Sequence, residues 1–220
     1  MARLILRVFQ LVVILSVLGS LVHYLLQHYV KFHFSPREIK TLGEKYAGQH
    51  PNQCMTKIVS DLARKHAGHI RMPQWLSVSP GGLSGKLALV HGSLTEYVAV
   101  FGTPIGDTGN TGLHWLNHTC AVLTGTVEVW KHGPDLSREE HGPGSVYTSS
   151  VLDLGAVRFA DDTWVVCYGR GIVPLSVFHV TFPTFFTAAD PYSCAQVKWT
   201  YFLSVLQEIG LKVQEMFGKK

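Results

Sequence analysis

Apolar positions along this chain follow three successive patterns. From Val8 to Val30, "VFQLVVILSVLGSLVHYLLQHYV", 23 consecutive positions carry no Asp, Glu, Lys or Arg, more than the roughly 20 a helix needs to cross a bilayer. The run is too long for a signal-peptide core and no A-x-A-like site follows it, so residues 1–31 are expected to be an uncleaved, single-pass transmembrane anchor. Residues 32–70 then read as a helical segment. In "SPREIKTLGEKYAG", Ser35 stands at an N-cap, Pro36 at the first helical position, Glu38 where a capping box closes, and Gly48 at the stop. A second stretch, 52–66, spaces Met55, Ile58, Val59 and Leu62 along one helical face and stops near Gly68.

Between 71 and 173 the period shortens. "YVAVFG", "TGTVEVW", "SVYTSSVL", "GAVRF" and "TWVVCYG" are short runs rich in Val, Tyr, Trp and Thr, punctuated by Gly and Pro. Such runs without intervening helices predict an all-β barrel or sandwich, with the hydrophilic tract "KHGPDLSREEHGPG" as a hairpin loop. From 174 to 220 the helical period returns. Asp190 and Pro191 cap and start a last helix that places Trp199, Phe202, Leu203, Leu206, Ile209, Val213, Met216 and Phe217 on one face. Lys198, Gln207, Glu208, Lys212 and Glu215 fall on the other. Such a helix either packs on the core, closing the mouth of a barrel, or lies in a membrane interface. The fold class is therefore mainly β with helical appendages.

Composition adds a membrane signal: 46% of residues are hydrophobic and 15% charged, against about 25% charged in average proteins. The net charge of +4 comes from 19 scattered Lys and Arg, with no basic stripe, so a nucleic-acid partner is not expected. Four cysteines, Cys54, Cys120, Cys167 and Cys194, are widely spaced, which argues against a disulfide-dense scaffold and a zinc ribbon.

Two motifs carry a resemblance. "GGLSGKLALVHGSLTEYVAVFGTPIG" (81–106) and "TWVVCYGRGIVP" (163–174) hold His91, Ser93, Glu96, Tyr97, Phe101, Gly102, Trp164, Tyr168, Gly169, Arg170, Gly171 and Pro174 in order. The chain thereby resembles the family that joins fungal sterol C8 isomerases with the animal sigma non-opioid intracellular receptor. The resemblance implies a cupin-like β-barrel over 71–173 and two C-terminal helices flat on the membrane. It also implies a homotrimer located in the endoplasmic reticulum membrane or the nuclear envelope. Family members hold sterols or amphiphilic amines inside the barrel. Carried over position by position, the ligand site comprises Leu83, Leu87, Leu89, Tyr97, Phe101, Cys120, Phe159, Cys167, Val177, Val180 and Tyr201, to which strand alternation adds His118; several of these would be buried core in any strand protein.

The chain departs from the family where its chemistry sits. By the resemblance, Cys167 occupies a glutamate position, Cys120 the facing aspartate, and Ser149 a nearby histidine. Moving a sterol double bond requires protonating an alkene, which a buried carboxylic acid can do. A thiol, with a reference pKa near 8.5 against about 4.3 for Glu, is a much weaker acid. Catalytic residues are therefore not expected, and a cationic amine would lose its counter-charge. Glu96 reads as structural, bonding backbone ahead of the barrel, while Asp107, Asp161 and Asp162 read as turn residues.

Two further readings stay open. Cys120 and Cys167, facing each other, could form a disulfide or remain buried thiols. With His114 and His118 on the same strand face they could also hold zinc, although the spacing matches no compact zinc motif; no cofactor is expected. The leading expectation is a non-catalytic binder of sterol or lipid-like ligands, with a role in lipid transport or chaperoning. The alternatives are a sterol C8 isomerase with another acid and a structural protein with a disulfide-locked or metal-filled barrel.

Overall fold

The computed structural model describes residues 2–29, 31–133 and 137–217, which divide into two units, Met1–Phe32 and His33–Lys220. The first unit is helix α1 (Ala2–Tyr29), which exposes Phe9, Ile14 and Val17. The transmembrane expectation is not confirmed: among the described residues no helix is long and apolar enough to cross a membrane. Val30, at the end of the charge-free run, lies outside the described residues.

The second unit begins with α2 (Pro36–Tyr46) and α3 (Pro51–Lys65). Ser35 caps α2 by accepting the Glu38 N–H at 3.3 Å. The Glu38 carboxylate, expected to close a capping box, instead meets His66 at 2.9 Å and Lys65 at 3.2 Å, tying the two helices together. The strands that follow are β1 (Trp75–Val78), β2 (Gly85–Gly92), β3 (Glu96–Thr103), β4 (Asp107–Asn110), β5 (Leu116–Thr124), β6 (Val127–Lys131), β7 (Arg138–His141), β8 (Val146–Ser149), β9 (Gly155–Phe159) and β10 (Thr163–Gly171). Helices α4 (Val173–Phe186) and α5 (Pro191–Phe217) complete the unit.

The strands form two antiparallel sheets, in the orders β1-β2-β3-β10-β5-β8 and β4-β9-β6-β7. The mainly β expectation holds, but the expected closed barrel gives way to two sheets, because among the described residues no ladder joins their edge strands. The tract taken as a hairpin loop contains strand β7, whose polar side chains remain solvated along an edge. It is held to β6 by the Arg138–Glu128 ion pair and by Arg138 over the Trp130 ring. Residues 134–136 of that tract lie outside the described residues.

Alternation along the central strands divides the interior in two. Trp164, Val166 and Tyr168 of β10, with Val98 and Val100 of β3, pack beneath α2 and α3 among Ile39, Leu42, Ile58 and Leu62. Val165 and Cys167 of β10, with Phe101 of β3, face the other way toward Val127, Val129, Val157 and Phe159 of the smaller sheet. Period-2 geometry thus sorts one apolar run into two cores. Helix α2 comes so close to β5 that a Cβ on Gly43 would collide with that of Ala121.

Glu96, only 1% exposed, binds the segment leading into α2 to the sheet. Its carboxylate accepts the His33 N–H at 2.8 Å, the Phe34 N–H at 3.3 Å and the Tyr168 O–H at 3.1 Å. The structural role read from the sequence is the one observed. Burial raises its pKa, and the two backbone donors oppose that shift.

Helix α5 corrects its expected faces. Trp199, Phe202, Leu206, Ile209, Val213 and Phe217 are exposed, whereas Ser193, Cys194, Val197, Ser204 and Glu208 are buried; the Met216 side chain lies outside the described ones. Glu208, grouped in the sequence with the polar side chains opposite the apolar face, points inward, where His69 Nδ1 meets it at 2.9 Å.

Replacing Glu96 by Ala leaves the His33 and Phe34 N–H donors without their acceptor, at about 1–3 kcal/mol for each one that stays buried, while the Tyr168 hydroxyl keeps the Phe34 carbonyl at 2.9 Å. Glu96→Ala is expected to lower the thermal unfolding midpoint by more than 10 °C, with Glu96→Gln retaining part of the loss; calorimetry of both variants checks it.

Candidate functional site

Between the two sheets, with α4 and α5 alongside, lies a cavity of about 220 Å³. All twelve residues expected at the ligand site line it: Leu83, Leu87 and Leu89 before and along β2, Tyr97 and Phe101 on β3, His118 and Cys120 on β5, Phe159 on β9, Cys167 on β10, Val177 and Val180 on α4, and Tyr201 on α5. Side chains two apart on each strand reach the same face, so they stack in rows across the larger sheet. One row runs Ala99, Cys167, Cys120, Tyr147; the next runs Tyr97, Gly169, His118, Ser149.

Cys120 and Cys167 are disulfide-bonded, with a Cα separation of 4.1 Å. They are Cα partners on adjacent antiparallel strands, close to the roughly 4.5 Å spacing of a non-hydrogen-bonded pair. Of the alternatives open in the sequence, the bridge is the one realised. It excludes these sulfurs as metal ligands, and a disulfide has no proton to donate. Cys54 and Cys194 are free and buried.

The second row carries the polarity. Gly169 has no side chain, and a Cβ there would collide with the Tyr97 ring; the ring therefore crosses Gly169 and its hydroxyl reaches His118 Nδ1 at 3.1 Å. His114, just before β5, places its ring 4.9 Å from His118 and 4.6 Å from His179 of α4. His114 Nε2 donates to the Thr111 carbonyl at 2.7 Å, since a carbonyl only accepts. Its Nδ1 then accepts the Ser176 hydroxyl proton at 3.0 Å. The imidazole expected by resemblance at 149 is absent, and His118 is the residue paired opposite Ser149.

All three imidazoles are pushed toward the neutral form by burial, with neighbouring imidazoles adding to it for two of them: His118 falls to about 3, His179 to about 4, and His114 moves the same way. Among the described residues no Asp or Glu lines the cavity. Asp107 accepts the Ser84 N–H, Asp161 the Gly106 N–H and Asp162 the Trp164 indole N–H, so all three organise turns. The grouping whose donor atoms lie within metal-binding reach of one another is His33, His69 and Glu208, none of which lines the cavity. His179 and Ser176 went unnoticed in the sequence; their i, i+3 spacing on a helix next to the "GRGIVP" turn was the available signal.

The model of the family described as ERG2 and Sigma1 receptor like protein matches residues 9–212. The chain belongs to that family. Sigma non-opioid intracellular receptor 1 of Danio rerio is 34% identical over 194 residues, 85% of this chain and 86% of the relative. C-8 sterol isomerase ERG2 of Gibberella zeae is 26% identical over 168 residues, 74% of this chain and 71% of the relative. Among solved structures the chain is similar to the Schizosaccharomyces pombe Cnp3 cupin domain (TM-score 0.36, 10% identity, 41% of this chain and 63% of that one). It is also similar to an RmlC-like cupin from Shewanella frigidimarina (TM-score 0.38, 10% identity, 46% and 84%).

Two outcomes are expected. Histidines held neutral by the fold bind fewer protons than in the unfolded chain, so their contribution to stability is full above about pH 6.5 and is lost as pH falls toward 4. The unfolding midpoint should therefore drop steadily between pH 7 and 4.5, with a shallower slope in His118→Phe/His179→Phe; melts across that range measure it. Removing the cross-link with Cys120→Ala/Cys167→Ala should cost about 2–4 kcal/mol through loss of loop closure, read by denaturant unfolding under non-reducing conditions.

Proposed function

We propose that this protein is a non-catalytic, sigma-receptor-like binder that holds a sterol or lipid-like hydrophobic ligand between its two sheets, at the residues named above, and serves lipid transport or chaperoning. The observation that carries this reading is the Cys120–Cys167 disulfide in the cavity wall. It stands where the family resemblance places an acid pair, and it leaves an apolar wall where proton transfer needs a carboxylic acid. An uncharged cavity suits a hydrophobic guest. A cationic amine would enter without its counter-charge, and losing one partner of a buried pair costs about 3–5 kcal/mol.

The proposed setting is the membrane of the endoplasmic reticulum or the nuclear envelope, with α1 as anchor and a homotrimer as the assembly; these rest on the family resemblance and on the charge-free run from Val8 to Val30. The exposed Phe178, Phe182, Phe185 and Phe186 of α4 and Trp199, Phe202 and Ile209 of α5 form the kind of apolar surface that interfacial helices bury in lipid. A disulfide favours an oxidising compartment, which supports a lumenal side for the sheets.

In cells lacking their own sterol C8 isomerase, the folded and correctly located protein should leave Δ8 sterols in place. Restoration of Δ7 sterols would overturn the non-catalytic reading. Cys120→Asp/Cys167→Glu should raise affinity for a hydrophobic amine at least 100-fold, the factor equivalent to about 3 kcal/mol, by radioligand binding.

A further inference from the structure

Two buried carboxylates, Glu96 and Glu208, are not equally provided for. Glu96 accepts three donors. Both oxygens of Glu208 lean on a single one, His69 Nδ1, at 3.1 and 2.9 Å. His91 Nδ1 comes within 3.5 Å, but its proton goes to the His69 carbonyl at 2.8 Å. Among the described residues no Lys or Arg pairs with Glu208. A carboxylate has about four acceptor sites, and burying one with so little counter-charge is costly. The His33 imidazole lies beside that of His69, with ring centroids 4.0 Å apart. One ligand atom from each of His33, His69 and Glu208 falls within 4.8 Å of the other two.

We propose that His33, His69 and Glu208 form a site for a transition-metal cation, zinc in the first place, that staples helix α5 to the larger sheet and to the chain entering α2. Two imidazoles and a carboxylate are a donor set that zinc takes with water in its remaining position. The ion takes the place of the proton that His69 Nδ1 gives to Glu208, and supplies the counter-charge this carboxylate lacks. Calcium and magnesium, which want oxygen donors, do not compete for it. Each ligand residue is steadied by a bond away from its own donor atom. Glu96 accepts the His33 N–H at 2.8 Å, His91 holds the His69 carbonyl, and the Gln207 amide donates to the Gly68 carbonyl, joining the chain neighbours of Glu208 and His69. Such outer bonds orient ligands before the metal arrives. Burial, and after it the neighbouring His69, lowers the His33 pKa, favouring the neutral imidazole that coordination needs. Of the charges further along α5 that reach His33, Lys212 repels a cation and Glu215 attracts it. His33 is not buried, which leaves the ion a way in from solvent.

The test uses full-length protein without a histidine tag, in nanodiscs, stripped with a chelator and titrated with zinc chloride by calorimetry. Wild type should bind one zinc per chain, and a hundredfold excess over Kd should raise its unfolding midpoint by about 5–10 °C. Magnesium should leave the midpoint where it was. His33→Phe keeps a ring beside His69 and removes the nitrogens, so its metal-free melt should match wild type while its zinc affinity falls at least roughly tenfold. Glu208→Gln keeps an acceptor for His69 and removes the charge, and its zinc affinity should fall likewise. With cobalt in place of zinc, wild type should show visible d–d bands that both variants lack. Wild-type protein that binds no zinc would overturn the site, as would an equal response to magnesium. Zinc affinity left unchanged by both substitutions would put the ion elsewhere and overturn it too. Should Glu208→Gln fail to fold, His33→Phe decides.

Discussion

A sheet buried on both faces must satisfy two different neighbours with one strand, and β10 carries that constraint here. Its odd and even positions cannot be exchanged, because a slip of one residue would move every side chain to the opposite face. Trp164, Val166 and Tyr168 belong under α2 and α3, and Val165 and Cys167 belong to the cavity. The register is pinned from both sides: β3 pairs along one edge of β10 and β5 along the other. Glu96 adds a third restraint by joining Tyr168 to the chain entering α2. The cavity is thus an outcome of strand alternation, and its wall is as rigid as the sheet that bears it.

On that wall, the central row decides what chemistry is available. Two carboxyl groups facing each other inside an apolar space are difficult to accommodate, since desolvation and like charge both raise the energy of the ionised pair. A disulfide at the same two positions removes both penalties and adds a covalent link between adjacent strands. The same exchange removes the proton donor and the counter-charge. Stability and reactivity therefore point in opposite directions at this pair of positions, as they do at many sites where function maintains strain or buried charge. What polarity the cavity keeps has moved one row along the strands, to Tyr97, His118 and the α4 histidine.

Much of this was legible in the sequence because the signals were local. The Ser35 cap, the helical stripe of Met55, Ile58, Val59 and Leu62, and the short Val-rich strands each follow from spacing within a dozen residues. The motifs around 81–106 and 163–174 carry six of the twelve residues named for the ligand site, and all twelve line a single cavity. Features set by distant partners were read less well. Nothing near Arg138 says that a polar tract will form an edge strand against β6, because the reason is Glu128 and Trp130 across the ladder. His179 looks like an isolated polar residue in an apolar helix until its ring meets that of His114, just ahead of β5, at 4.6 Å. Whether strands close into a barrel depends on edge pairing, which spacing along the chain does not encode.

Glu208 shows how far such a distant partner can reverse a local pattern. Helical periodicity groups it with Lys198, Gln207, Lys212 and Glu215, opposite Trp199, Phe202, Leu206 and Ile209. In the fold the acidic side chain is 4% exposed and the aromatic side chains stand outside. A buried carboxylate needs a partner, and His69, ahead of β1, supplies it at 2.9 Å, itself held to β2 by the His91 Nδ1–H that its carbonyl accepts. Tyr201 reinforces the same orientation by donating to the Ser93 carbonyl at 2.9 Å. The helix is therefore docked by its small and polar side, through Ser193, Cys194, Ser204 and Glu208. Its large apolar side is left exposed. An amphipathic pattern alone says that two faces differ; which face turns inward is settled here by hydrogen bonds to the sheet.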